Sequence, residues 1–205
     1  MGKILVIGAR GRAGRAAVTE ARSRGHEVTA VARTASASLA DGVPEAGIVA
    51  GDVTDAGRIA ELATGQDAVI ATVYDGGTDP ALFYPAAARA LVEGIRDARL
   101  IWVGLASLLP DRNGTPLMDT PGYPQEHRSF YLAHQAALDT FATSELDWVS
   151  LAPAGDFNHA DPRRTGTYRL TAADPTALIS YADFAIALLD EYERRTHSRV
   201  MLGVV

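Results

Sequence analysis

Short apolar runs alternate with longer amphipathic stretches along most of the chain. The apolar runs show no regular polar alternation, which indicates strands that are covered on both faces. Six strands are predicted in this part, at residues 3–8, 26–32, 47–51, 67–73, 99–103 and 147–152. Between them, the amphipathic stretches predict helices at 12–24, 55–63, 80–96 and 125–144. This order predicts an α/β fold with a doubly wound parallel sheet and right-handed crossovers.

The pattern changes after Pro153. Asp, Pro, Gly, Thr and Arg dominate residues 154–177, where a short strand is predicted at 167–170. A helix at 181–195 and a strand at 199–204 are predicted to follow. We predict one domain over residues 1–205, with substrate-side loops at 153–180.

The amino-acid composition excludes several kinds of catalytic and binding site. The chain has no cysteine, which excludes disulfides, thiolate nucleophiles and sites that hold zinc or iron–sulfur clusters through cysteine. Lys3 is the only lysine among 19 basic residues, so a Schiff-base lysine is disfavoured and a G-x-x-x-x-G-K-[ST] phosphate loop is excluded. The histidines lack metal-ligand spacing, and we predict no metal site.

The charge is distributed unevenly. The formal net charge is −6, yet residues 1–33 hold seven basic and two acidic side chains and are therefore +5, which leaves −11 for the remainder. This balance suits a small anionic ligand better than a nucleic acid. The apolar runs are too short to span a bilayer, and the chain starts directly on a strand-like run. We therefore expect a cytoplasmic protein with a small-molecule substrate and no membrane or nucleic-acid partner.

The strongest motif follows the first predicted strand and opens the first predicted helix. It has the form G-x-x-G-x-x-G and consists of Gly8, Ala9, Arg10, Gly11, Arg12, Ala13 and Gly14. In such a turn one glycine allows the bend, the second lets the backbone approach a diphosphate, and the third lets helix pack on strand. Backbone N–H groups at the helix start then bind the diphosphate. The motif predicts a dinucleotide site in a sheet of the Rossmann type.

The end of the second predicted strand indicates which dinucleotide binds. An acidic residue there usually binds the ribose 2′-hydroxyl of NAD, whereas arginine suits the 2′-phosphate of NADP. This chain has Arg33, followed by Thr34, Ser36 and Ser38, and its next carboxylate is Asp41. A guanidinium can bind a phosphate through two parallel hydrogen bonds. We therefore predict NADPH, with Arg33 on its 2′-phosphate; the alternative is a solvated charge at a strand end.

Further positions extend this predicted site. Arg10, inside the glycine-rich turn, could add a second cation to the 2′-phosphate. Asp52 and Val53 follow the third predicted strand, where the carboxylate could accept from the adenine amino group while Val53 packs on the ring. Thr54 or Asp55 is better placed to cap the next helix, which leaves Asp52 available to the ligand.

These motifs together resemble the atypical short-chain dehydrogenases/reductases, and within them the small NAD(P)H-binding proteins of the biliverdin reductase B (flavin reductase) and NmrA-like types. The resemblance covers nearly the whole chain and is specific in the nucleotide half. It is carried by GARGRAG at 8–14, VAR at 31–33, GDV at 51–53, GQDAVI at 65–70, VGLASLL at 103–109, HQAAL at 134–138, LAP at 151–153, G-x-Y at 166–168 and I-S-x-x-D at 179–183.

The resemblance implies a cofactor contact for each matched position. It assigns the pyrophosphate to 8–14, the 2′-phosphate to Arg33, adenine to Asp52 and Val53, the ribose to Thr72 and Val73, and the nicotinamide to Ser107, Pro153, Ala154 and Gly155. The family's reductases typically act on flavins, such as FMN, or on other planar acceptors. Loops at 74–80, 108–124 and 155–166 are expected to wall the substrate pocket. The side chains that could pack on a planar substrate are Tyr74, Leu117, Met118, Tyr123 and Phe157.

The broader superfamily reduces carbonyls with a serine, a tyrosine and a lysine in Y-x-x-x-K. Tyr131 follows Ser107 at a plausible distance, but the fourth residue after it is Gln135, which cannot supply the positive charge that stabilises a tyrosinate. Gln135 could still hydrogen-bond the tyrosine hydroxyl from one helical turn away. The candidate catalytic residues are Ser107, Tyr131 and His134, the last as a proton donor near neutral pH. Structural packing is the alternative for each of the three.

Three functions stay open. The first is an NADPH-dependent oxidoreductase that transfers hydride to a small planar acceptor of flavin, quinone, enone or bilin type, as a monomer or homodimer. The second is a non-catalytic NADP(H)-binding sensor of the NmrA type, which the missing lysine favours. The third is an epimerase, dehydratase or biosynthetic dehydrogenase that uses Tyr131 and Ser107.

Overall fold

The structure is a computed structural model that describes residues 1–34 and 48–205. The strands are β1 Lys3–Ile7, β2 Glu27–Ala32, β3 Ile48–Ala50, β4 Ala68–Ala71, β5 Arg99–Val103, β6 Trp148–Pro153, β7 Asp156–Phe157, β8 Leu170–Thr171, β9 Leu178–Ile179 and β10 Val200–Val204. The helices are α1 Arg12–Ser23, α2 Ala56–Ala63, α3 Pro80–Gly94, α4 Arg128–Ala142 and α5 Tyr181–Arg194. Within the described ranges, no helix combines the length and apolar character needed to cross a membrane.

Within the described residues, the central sheet has eight strands in the order β3-β2-β1-β4-β5-β6-β10-β8. Neighbouring strands are parallel except β10 and β8, which pair antiparallel at one edge. The first six positions follow the strand order of a dinucleotide-binding Rossmann sheet, which reverses its direction of winding between β1 and β4. The predicted doubly wound parallel sheet is thus confirmed. Such sheets bind ligands at the carboxyl ends of the strands that flank the reversal.

Each face of the sheet is covered by its own group of helices. α1 packs with α5 on one face, whereas α2, α3 and α4 pack in series on the other. Strand β1 contributes to both layers: Ile4 and Val6 belong to the core under α1 and α5, and Leu5 and Ile7 belong to the opposite core. Successive side chains of a strand point to opposite faces, so a strand covered on both sides has no position for a polar residue. This burial explains the continuous apolar runs.

The ends of several elements differ from the prediction. Helix α4 begins at Arg128 rather than at residue 125, and of the strand predicted at 167–170 only Leu170 is in a strand, β8. The pattern does not predict β7 and β9, which pair in parallel with each other outside the main sheet. Strands of two residues are too short to show a periodicity. The third predicted strand begins at Gly47, which lies outside the described residues, and β3 begins at Ile48.

Candidate functional site

The glycine-rich turn joins β1 to α1 at the carboxyl edge of the sheet. Gly8 has a φ of +83°, a backbone conformation that glycine adopts without strain. A Cβ on Gly8 would lie 2.4 Å from the Thr72 carbonyl oxygen, and a Cβ on Gly14 would lie 2.2 Å from the Gly8 carbonyl oxygen. Gly8 therefore makes the bend, and Gly14 allows α1 to pack closely on the turn. These are two of the roles that the motif predicts for its glycines.

The first turn of α1 is open to an anion. Gly11 is the N-cap and has no side chain, and no acidic residue occupies the first turn. The first helical hydrogen bond runs from the Arg15 N–H to the Gly11 carbonyl oxygen, so the N–H groups of Arg12, Ala13 and Gly14 have no partner within the helix. Together with the positive end of the helix dipole, these N–H groups fit the diphosphate of a dinucleotide.

A cavity of about 280 Å³ adjoins this turn, between the carboxyl ends of β1, β2 and β4. The predicted cofactor residues that line it are Gly8, Arg10, Gly11, Arg33, Val53, Thr72 and Val73. Tyr74 and Phe83 add aromatic surface. The Thr72 hydroxyl donates to the carbonyl oxygens of Ile7 and Gly8, at 3.1 and 3.2 Å, which ties the end of β4 to the turn. We call this space the cofactor cavity.

Arg33 lines the cofactor cavity with 60% of its side chain exposed. Its Nη1 atom lies 2.8 Å from Oδ2 of Asp75, a residue of the loop after β4. The Gly77 N–H and the Thr78 hydroxyl also donate to Asp75. These hydrogen bonds, with the Arg33 guanidinium, hold the pKa of the Asp75 carboxyl below its usual range. A phosphate on Arg33 would therefore share the guanidinium with an ionised carboxylate.

Arg10 and Thr34 come together beside Arg33. The Arg10 guanidinium donates to the Thr34 hydroxyl at 2.8 Å. Both residues line the cofactor cavity, as the prediction for a phosphate site requires. Ser36, Ser38 and Asp41, which also entered that prediction, lie outside the described residues.

Asp52 and Val53 contribute differently. Val53 is buried and lines the cofactor cavity, whereas Asp52 is exposed and does not. Asp52 Oδ1 accepts from the Thr54 N–H at 2.9 Å and from the Thr54 hydroxyl at 2.8 Å. Asp55 caps α2 by accepting from the Arg58 N–H, so the capping prediction is confirmed. Asp52 is therefore less free than the sequence predicts, because one of its oxygens closes a local turn.

The segments that follow β5 and β6 enclose a second depression of about 550 Å³, which we call the groove. Strand β5 is the neighbour of β4, so the groove and the cofactor cavity open at adjacent strand ends. Four of the predicted catalytic and cofactor residues line the groove: Ser107, Tyr131, Pro153 and Gly155. Ala154, between the last two, is buried, and its N–H donates to the Val204 carbonyl at 2.8 Å. The prediction that Ala154 contacts the nicotinamide is corrected, because Ala154 is buried, does not line the groove and pairs through its N–H with the end of β10.

The predicted substrate-packing residues divide between the two spaces. Leu117, Tyr123 and Phe157 line the groove. Tyr74 instead lines the cofactor cavity, with a largely exposed ring. Met118 is buried in the core under α2, α3 and α4, so the structure corrects its prediction. The side chain of Met118 packs against the protein interior and has no surface to offer a substrate.

Ser107 lies in the short 3₁₀ turn Ala106–Leu108 that follows β5. Its side chain is 2% exposed, and its hydroxyl has no hydrogen-bond partner although the residue lines the groove. Buried hydroxyl groups nearly always have a partner, and because Ser107 lines the groove, a water or ligand atom in the groove can supply one. An oxygen or nitrogen of a bound molecule could complete this hydrogen bond.

Tyr131 lies on α4 next to Tyr123, with ring centroids 5.6 Å apart. Burial and the charge of Glu126 raise the pKa of the Tyr131 hydroxyl, and only a hydrogen bond from Tyr123 opposes them. Gln135 does not assist this hydroxyl: its amide donates to Asp139 at 2.8 Å instead. The predicted possibility that Gln135 hydrogen-bonds the Tyr131 hydroxyl is therefore not realised in this structure. Tyr131 is neutral at physiological pH and is not activated as a base.

His134 has no place in the groove. Its side chain is 3% exposed and packs among aromatic rings, with centroids 3.8 Å from Tyr84, 4.9 Å from Phe130 and 6.2 Å from Trp102. Neither ring nitrogen has a hydrogen-bond partner. This burial lowers the pKa of His134 to about 3. The prediction of His134 as a proton donor is corrected, because its ring stays neutral and does not line the substrate space.

The neutral His134 has a consequence for stability. An unfolded histidine binds a proton below a pH of about 6.5, whereas the native site does not, so lowering the pH from 8 to 5 should cost about 2 kcal/mol of folding free energy. Between pH 8 and pH 5, we expect the free energy of unfolding of His134→Leu to fall by about 2 kcal/mol less than that of the unmodified protein, because leucine takes up no proton. Urea unfolding at both pH values measures the difference. His127→Leu makes the same change at an exposed position and is the control. Equal losses in the His134 variant and the unmodified protein would contradict the burial effect.

Arg12 connects the glycine-rich turn to the segment after β7. Its Nη1 atom lies 2.9 Å from Nδ1 of His159. Ala9, in the same turn, is buried in the core under α1 and α5 and offers only its backbone. His159 and Asp75 carry no motif of their own, so neither is predicted as a site residue. Their positions after strand ends at the carboxyl edge are the one signal that the sequence holds for them.

Comparisons with known proteins agree with this geometry. A family model described as NAD(P)H-binding matches residues 8–193. The Bacillus subtilis (strain 168) protein "Uncharacterized protein YwnB" is 36% identical over 215 residues, which cover 99% of this chain and 98% of that protein. A structure from Burkholderia pseudomallei named "putative exported protein" is 32% identical with a TM-score of 0.84, over all of both chains. One from Streptococcus pneumoniae TIGR4 named "putative NADH-flavin reductase" is 33% identical with a TM-score of 0.82, over 100% of this chain and 99% of that chain.

These similarities extend over the nucleotide half and the groove alike. The match begins at Gly8, the first glycine of the turn, and continues into α5. The strand order, the two crowded glycines and the open N-terminus of α1 are the features by which such a fold binds a dinucleotide. The chain therefore belongs to the NAD(P)H-binding family of atypical short-chain dehydrogenases/reductases.

Proposed function

We propose that this chain is an NADPH-dependent reductase that transfers hydride to a small planar acceptor. The observation that carries the proposal is the unpartnered hydroxyl of Ser107, buried at the groove beside the end of β5. The groove opens next to the cofactor cavity, and its walls are largely apolar. A planar acceptor in the groove would therefore lie close to the nicotinamide end of a dinucleotide that extends from the glycine-rich turn.

The chain's own residues would bind and orient the reactants. The N–H groups at the start of α1 hold the diphosphate, and Arg33 holds the 2′-phosphate. When bound, NADPH supplies the hydride. The Ser107 hydroxyl donates a hydrogen bond to an acceptor or nicotinamide oxygen, while Leu117 and Phe157 exclude water. Solvent supplies the proton, so no lysine is required.

The choice of NADPH over NADH rests on the end of β2. Arg33 and Arg10 both line the cofactor cavity there. The last residue of β2 and the two described residues after it, Ala32, Arg33 and Thr34, include no carboxylate. Asp75, which does approach Arg33, comes from the loop after β4 and leaves most of the guanidinium exposed. The arrangement supports a 2′-phosphate contact, although the Streptococcus pneumoniae relative carries NADH in its name.

Tyr131→Phe separates this proposal from a tyrosine-dependent dehydrogenase or epimerase. We expect the variant to keep its turnover within about threefold, because a neutral, unactivated tyrosine contributes no general acid–base catalysis, which is worth about 100-fold or more. The assay follows NADPH oxidation with riboflavin, FMN, a naphthoquinone and an enone. A loss of about 100-fold would favour the tyrosine mechanism. Tight NADPH binding without turnover of any acceptor would instead favour a sensor of the NmrA type.

A further inference from the structure

The groove is apolar and contains one formal charge. Its ionisable lining residues are Asp156, Tyr123 and Tyr131, and none of its lining residues, all within the described ranges, is lysine, arginine or histidine. Burial, with smaller contributions from Tyr131 and the charge of Asp156, raises the pKa of Tyr123 to about 12. Both tyrosines are therefore neutral at physiological pH. The only charge that a bound acceptor meets in this lining is negative.

The backbone holds Asp156 at the groove. Its N–H donates to the Ala177 carbonyl at 3.0 Å, and β7 pairs with β9 at this position. The preceding Gly155 approaches the segment before β9 so closely that a Cβ would lie 2.4 Å from the carbonyl oxygens of Ala177 and Asp174. The Asp156 carboxylate accepts from the Phe157 N–H at 2.7 Å. The charge is thus attached to a fixed part of the wall.

Phe157 makes the adjoining wall rigid. Its ring stacks on Tyr181, with centroids 4.1 Å apart and planes at 14°, and meets the edge of Phe184 at 5.1 Å. Pro153, Leu117 and Pro175 extend the apolar lining. A flat aromatic or quinonoid ring can bury its faces against such walls without needing an ion pair.

We propose that the groove selects planar acceptors without a phosphate on the side chain, such as riboflavin or a quinone, and discriminates against phosphorylated flavins such as FMN. The inference rests on the proposed reductase function and narrows its substrate class. A phosphate dianion close to the Asp156 carboxylate is repelled, and no basic residue of the lining offsets the repulsion. Asp156 is exposed, so a phosphate that approaches its carboxylate to about 6–8 Å is expected to lose about tenfold in affinity at low ionic strength and less at high salt.

Riboflavin and FMN provide the test, because they share one ring system and differ in the 5′-phosphate. We expect riboflavin to have a kcat/KM at least about tenfold higher than FMN at low ionic strength, and Asp156→Asn to reduce this ratio by about five- to tenfold. Asp156→Glu keeps the charge and should keep the preference. Asp97→Asn removes the same charge from an exposed turn at the amino edge of the sheet and should leave the ratio unchanged.

A binding measurement distinguishes failure of this inference from failure of the proposed function. Flavin fluorescence quenching in the presence of NADP⁺ gives Kd for both flavins without turnover. Tighter riboflavin binding that depends on Asp156 supports the inference even if no acceptor is reduced, an outcome that would overturn the reductase function alone. Equal affinity for the two flavins, a ratio insensitive to Asp156→Asn, or no binding of riboflavin overturns the inference.

Discussion

Replacing Gly14 with alanine is expected to weaken NADPH binding by about 100-fold and to destabilise the fold by about 1–3 kcal/mol. The added Cβ would lie 2.2 Å from the Gly8 carbonyl oxygen and 2.8 Å from the Thr72 hydroxyl. Both neighbours belong to fixed parts of the turn and of the β4 end, so α1 must move away. A displacement of about 1 Å carries the N–H groups of the first helical turn out of reach of the diphosphate. Fluorescence titration with NADPH and urea unfolding measure the two effects.

Gly57→Ala is the matched control, because it makes the same change inside α2. A Cβ on Gly57 would be 3.4 Å from Asp55 Oδ1, an ordinary contact. Alanine favours helix by about 1 kcal/mol over glycine, so this variant should be as stable as the unmodified protein or more stable. NADPH affinity of the Gly14→Ala variant within about threefold of the unmodified protein would contradict the role assigned to the close packing.

Replacing Arg33 with alanine is expected to raise the Kd for NADPH by about 10- to 100-fold and to change the Kd for NADH by less than about threefold. The guanidinium lines the cofactor cavity and is mostly exposed, so its charge is available to the 2′-phosphate that only NADPH carries. A charge-assisted hydrogen-bond pair of this kind is worth about 1.5–3 kcal/mol, which corresponds to that range of affinity.

Two further variants define the contribution of Arg33. Arg33→Lys keeps the charge but loses the planar fork and should recover part of the NADPH affinity. Arg96→Ala removes an exposed arginine at the amino edge of the sheet and should affect neither cofactor. An equal loss of affinity for NADPH and NADH in Arg33→Ala would show that Arg33 does not bind the 2′-phosphate. Equal Kd values of the unmodified protein for NADPH and NADH would indicate that the Arg33 guanidinium stays paired with Asp75 and does not bind the 2′-phosphate.

The nucleotide half of the site could be predicted because its determinants are contiguous in the chain. Gly8, Gly11 and Gly14 act within one turn, and their spacing alone specifies the bend, the open helix end and the close packing. The groove could be predicted only in outline. Ser107, Tyr131 and Phe157 do line it, but the place of the Asp156 charge in its wall depends on β7 and β9, elements too short to have a pattern.

The amino-acid sequence by itself determined the order of strands and helices, the doubly wound sheet and the dinucleotide turn, because hydrophobic periodicity and glycine spacing act over a few neighbouring residues. Only the tertiary structure decided which polar side chains meet. Arg33 pairs with Asp75 across two strand ends, and His134 has its ring enclosed by residues from other elements. Such outcomes depend on the relative orientation of elements distant in the chain, which local spacing does not encode.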